Sequence, residues 1–185
     1  DTRRATAEET ANFMVKLLDE AIPDLLWAYN GSTIDTDADN NTGRWTAAGA
    51  KALKAKILMF NASPLYNSDQ PYYDGSTEAE KDSIVWHGGF KQDRWERALA
   101  ACKDFFDSNA ANGSWYQLNQ VSASKPAPEG YRQAYRMGYI YQGSREIIHC
   151  TRVTGQTSNK ASYQWANFCG PFGNSNGPFR HSYGP

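Results

Sequence analysis

From Gly43 to Asn67 the chain reads GRWTAAGAKALKAKILMFNASPLYN, an alanine-rich helix that stops at Ser63-Pro64. Ala50, Leu53, Ile57 and Phe60 recur at helical spacing and form a large-residue face. Ala48, Ala52, Ala55, Met59 and Ala62 form a small-residue face. Helix separation depends on the side chains at the contact, so small ones admit a close neighbour. A helix with two apolar faces is expected to lie between other helices. Lys51, Lys54 and Lys56 are expected to lay their stems along the remaining surface, with their charges in water. Thr46 is the expected cap, and Pro64 pushes Ser63 out of helical geometry.

The flanking segments carry compatible signals. Thr6-Ala7-Glu8-Glu9 is a capping box, and Ala11, Met14, Leu18, Ala21 and Leu25 follow as one apolar face up to a stop or kink at Pro23. After the polar loop from Ser32 to Gly43 and the alanine helix, "SPLYNSDQPYYDGS" reads as an ordered loop, then a polar stretch runs to Phe90. The next helix is "DRWERALAACKDFFD", with Asp93 as expected cap and Asn112-Gly113 as stop. Its inner side is expected to carry Trp95, Ala98, Leu99, Cys102, Phe105 and Phe106. Trp45 and Trp95, at helix starts, are both read as core. A fourth helix spans about Glu129 to Tyr141, with Tyr131, Tyr135, Gly138 and Tyr139 on one face, and "REIIHCTRV" reads as a short strand. The helices begin near residues 6, 46, 93 and 129, at intervals of about 40, and "WERALAACKDFFD" is like the second helix of a tetratricopeptide unit. The expected fold is therefore mostly α: a tetratricopeptide-like helical-repeat scaffold over residues 1–144. A short strand and an aromatic loop region over 145–185 belong to the same domain.

Several function classes are excluded or disfavoured. The net charge is −1, with no basic excess to neutralise a phosphate backbone, so nucleic acid is not an expected partner. Cys102, Cys150 and Cys169 fall in no zinc spacing; free thiols are preferred, with a Cys150–Cys169 bridge the alternative. His87, His149 and His181 have no partner at ligand spacing, and neither a nucleophile elbow nor a phosphate loop occurs. No catalytic residues are assigned. No run is apolar enough to span a bilayer. The chain opens on Asp1 and closes on Gly184-Pro185, and is expected to be a piece of a longer protein.

The order of motifs carries a resemblance. "ATAEETANFMVKLLDEA", then Gly43-Arg44-x-Thr46 with "ALKAKILMF" and "ASPLYN", then "RWERALAACKDFFD" with "SWYQL", then "GYIYQGSREIIHCTR" resemble the SusD/RagB family over residues 5–153. Those proteins are cell-surface nutrient-binding lipoproteins of the Bacteroidetes outer membrane. The resemblance implies the middle portion of such a protein, with a lipid anchor outside these residues. It also implies a SusC-like TonB-dependent transporter as partner and non-catalytic capture of an oligosaccharide, or of a peptide in RagB-like members. A helical-repeat interaction module without a sugar ligand and a glycan-active enzyme are the competing readings.

The family supplies no fixed binding motif, so site candidates rest on chemistry. Sugar rings offer an apolar face and a hydroxyl rim, which aromatic side chains and polar groups such as Asn and Arg can meet. "SYQWANFCGPFGNSNGPFRHSY" holds Trp165, Tyr163, Asn167 and Arg180 in a short loop-rich span. Trp86, beside Gly88-Gly89, is a further candidate. The same rings could instead pin long loops to the scaffold. Asp35, Asp37 and Asp39 match the first three ligands of a calcium loop, but the sixth position is Asn40 and the twelfth Thr46, so a solvated turn is preferred. No cofactor is expected, with calcium the secondary reading.

Overall fold

The computed structural model describes residues 3–29, 41, 43–72, 77–121, 127–140 and 144–149. These are mostly α-helical and contain no strand. Helix α1 covers Ala7–Ala21 and opens on the expected capping box: Thr6 Oγ1 accepts from Glu9 N at 3.1 Å, and the Glu9 carboxylate takes Thr6 N–H at 2.7 Å. A 3-10 turn at Ile22–Asp24, carrying Pro23, ends it. Helix α2 covers Ala47–Ala62. Thr46 Oγ1 accepts from Gly49 N at 3.0 Å, and Ser63 is already extended at the other end. A one-turn helix, α3, occupies Glu78–Lys81. It was not anticipated, although Thr77-x-x-Glu80 is itself a capping signature; the Glu80 carboxylate accepts from both the Thr77 amide (3.1 Å) and hydroxyl (3.0 Å). Helix α4 covers Gln92–Ala111, and α5 covers Glu129–Ile140.

Helix α2 packs against both α1 and α4. The core joins Val15 of α1, Ala55, Leu58 and Ala62 of α2, and Ala98 and Ala101 of α4. Alanine meets alanine where α2 and α4 are closest in character, as small-residue contacts require. Side-chain pairs fix the directions. Lys51 near the start of α2 reaches Asp104 late in α4, and Lys54 reaches Asp19 at the end of α1, each at 2.6 Å. Early α4 meets early α1 through Arg94–Glu8 and Arg97–Asn12. Helices α1 and α4 are therefore parallel, with α2 antiparallel to both.

Several sequence expectations are corrected. Lys51 and Lys54 are not left in water; each is paired with a carboxylate of a neighbouring helix, and only Lys56 stays exposed. On α2 the buried positions are mostly small. Phe60 is 56% and Met59 50% exposed, so the flank with Lys56 is open and the large-residue face is only partly covered. On α1, Val15 is buried in place of Met14. On α4 the inward line is Arg94, Ala98, Ala101 and Asn109, which turns Trp95, Leu99 and Phe106 outward at 37%, 55% and 68% exposure. Where α2 meets α4 the buried apolar side chains are alanines apart from Leu58, and Met59, Phe60, Leu99 and Phe106 lie on the flanks. Trp45 is not core either; it lies over Gly49, where an added Cβ would meet its ring at 3.4 Å, and stacks on His149 at 4.2 Å.

Helix α4 is capped by Lys91 and not by Asp93. Its far end closes as expected, with Gly113 at φ 72°. There Trp27, Phe105 and Tyr116 form an aromatic cluster with centroid separations of 5.8–6.4 Å. Burial pushes the Tyr116 phenol up, an effect eased by a hydrogen bond with Thr46. The segment expected as a strand forms a turn at Arg145–Glu146, and its remainder from Cys150 lies outside the described residues. Arg145 donates to Ser114 O at 2.8 Å and sits 4.8 Å over the Trp115 ring, while Asn119 donates to Glu146 at 2.9 Å. This ties 144–149 to 114–119. Helix α5 packs against none of the other described helices, and Tyr131 and Tyr135 are 65% and 69% exposed.

Candidate functional site

The described part of the candidate region is the pair of loops between α2 and α4. The first begins where Pro64 ends α2: Tyr66 N and Asn67 N both donate to Ser63 O, at 3.0 and 2.9 Å, which winds the chain into a tight turn. The turn drives Asn67 inward, where it is 2% exposed. Its Oδ1 accepts from Lys91 N (2.7 Å) and Arg94 Nη1 (2.8 Å), and its Nδ2 donates to Lys91 O (3.0 Å) and Ala62 O (3.4 Å). Lys91 is the N-cap of α4, so Asn67 caps that helix from outside and joins it to the end of α2. The missing side-chain cap on α4 is thereby explained.

Arg94 completes the junction. It is 5% exposed and donates to Asn67, to Gly89 O at 2.9 Å and to Glu8 at 3.2 Å. A buried guanidinium needs this degree of pairing. Its Nε is buried with no partner among the described residues. The second loop, 83–91, closes over this centre. Gly88 and Gly89, at φ 79° and 146°, make the bend that directs Gly89 O at Arg94.

Trp86 sits in this second loop, half-buried, and its Nε1–H donates to Ser68 O at 3.0 Å. The indole thus ties the two loops together. The first loop also exposes Asp69, Gln70 and Tyr72, the last at 85%. A ring with polar groups nearby is the type of surface that can meet a sugar, but the tryptophan's polar atom is already engaged.

No family model matches the chain. A comparison with curated proteins likewise finds no match.

Trp165, Tyr163, Asn167 and Arg180 lie outside the described residues, as do Asp35, Asp37 and Asp39. Trp86 is the one candidate ligand residue with a described environment. Among the described residues, no group of three or more His, Cys, Asp or Glu side chains could hold a metal ion, and no helix is long and apolar enough to cross a membrane. Cys102 is free and half-buried; Cys150 and Cys169 lie outside the described residues.

Sequence reasoning missed the polar centre of Asn67 and Arg94. A signal was present: Arg94 precedes Ala98 by four residues, so a charge shares the line of the smallest side chains. A charged residue on a contact line must find a buried partner.

Proposed function

We propose that this chain is the middle portion of a SusD-like, cell-surface glycan-binding protein, a non-catalytic capture module that delivers oligosaccharides to a SusC-like TonB-dependent transporter. Support comes chiefly from one observation: the first three helical motifs on which the resemblance rests fall on α1, α2 and α4, and α2 packs between the other two. A tetratricopeptide-like scaffold is the finer reading of that packing. In this account Trp165 and Tyr163 stack on sugar faces and Asn167 and Arg180 meet hydroxyls, with Trp86 a separate candidate ring. The anchor to the outer membrane lies outside these residues.

A second reading is favoured by the outward line of Trp95, Leu99 and Phe106 with the open Met59: a helical-repeat module that binds another protein and no sugar. Incubation with a panel of plant and host oligosaccharides and peptides separates the readings. The proposal predicts retention of a glycan without product release. Retention of peptides alone moves the reading to RagB-like uptake, product release makes the protein an enzyme, and no retention leaves the interaction module. For a retained glycan, Trp165→Ala is expected to weaken binding about tenfold, ~1.4 kcal/mol, in calorimetry, with the unfolding transition unchanged. Unaltered affinity removes Trp165 from the site.

A further inference from the structure

Besides the Trp86–Ser68 and Gly89–Arg94 bonds, a histidine holds the loop that carries Trp86 to the scaffold. His87 N donates to Tyr66 O at 3.1 Å, and His87 Nε2 lies 3.1 Å from Asn61 O at the end of α2. A carbonyl only accepts, so Nε2 carries the proton and Nδ1 has a lone pair. Nδ1 is buried with no partner among the described residues. The Tyr66 ring packs at 5.9 Å. The backbone around the histidine is bent at Ser83, Gly88 and Gly89, with φ of 58°, 79° and 146°. Ser83 is not glycine, and such a conformation stores strain that only its surroundings hold in place.

We infer that His87 is an acid-released latch: the neutral imidazole fastens loop 83–90 to the end of α2, and protonation frees the loop and Trp86 with it. A second proton would create a buried Nδ1–H donor with no acceptor among the described residues, in a site that already holds the Arg94 guanidinium. The charged groups around the ring act unequally. Burial lowers the His87 pKa most; Arg94 and then, more weakly, Lys91 of α4 push the same way. The Asn61 carbonyl and Glu8 of α1 oppose them. A released imidazole takes up its proton near pH 6.5. Because the latched form binds fewer protons than the released form below that pH, closure weakens as pH falls through this range and is complete above it.

Hydrogen exchange on the whole chain tests this without any substitution. Between pH 7.5 and 5.0 the protection factors of the His87 amide and the Trp86 indole N–H are expected to fall at least fivefold. The ceiling is about 30-fold, set by a released imidazole titrating near 6.5. Protection of Ala55 and Leu58 in α2 is expected to stay constant. His87→Gln is expected to remove the pH dependence. Protection at His87 and Trp86 that is flat across this range, or a loss spread equally over α2, overturns the latch. So does an undiminished pH dependence in His87→Gln. A variant that fails to fold leaves the wild-type comparison decisive.

Discussion

Asn67→Ala is expected to lower the free energy of unfolding by about 2–4 kcal/mol, read as a shift of the urea midpoint with unchanged slope. The substitution deletes a side chain that is 2% exposed and makes four hydrogen bonds. It leaves the Lys91 amide and one of the two Arg94 Nη1–H groups without its acceptor, the other still donating to Gly89 O, and an unsatisfied buried donor costs more than the net value of a made bond. Asn67→Asp keeps the acceptors and places an anion beside Arg94, while giving up the donors to Lys91 O and Ala62 O. It is expected to cost less than Asn67→Ala. Equal losses in the two variants would mean that Asn67 acts through packing and not through capping α4.

Ala98→Leu is the second large effect. Ala98 is 3% exposed and joins the same core cluster as Ala55, Leu58 and Ala62. Added methylenes in a packed contact cost about 1–3 kcal/mol, and here they would also force α2 and α4 apart. Leu99→Ala, one position along and 55% exposed, is expected to change stability by no more than ~0.5 kcal/mol. The pair inverts the usual hydrophobic order: gaining bulk at the alanine harms, and losing it at the leucine does not. A larger loss from Leu99→Ala would put the larger residues back in the core.

This inversion also explains what the sequence made legible. Helix ends were readable because their causes are local: a Thr6 or Thr46 hydroxyl on an amide three residues on, and the steric effect of Pro64 on Ser63. The placement of α2 between two helices was readable from its alanines. Which residues of α4 face α2 was not, because periodicity locates a stripe, and the bulkiest side chains are not the ones at a close helix contact. Bulk at Trp95, Leu99 and Phe106 suggested burial, yet close contact belongs to Ala98 and Ala101. The polar centre was hidden for another reason. Asn67 and Arg94 are 27 positions apart, and Arg94 and Glu8 are 86 apart, so no local pattern joins them. The aromatic span around Trp165 lies outside the described residues, and the chemistry of its side chains alone supports its place in the proposal.

The packing of α2 between α1 and α4 is tested most directly by amide exchange along the helices. Ala55, Leu58 and Ala62 are expected to exchange only through global unfolding, with the slowest rates in the chain. The amides of α5, which packs against no other described helix, are expected to exchange through local opening, at far higher rates. Exchange in α2 as fast as in α5 would contradict the account.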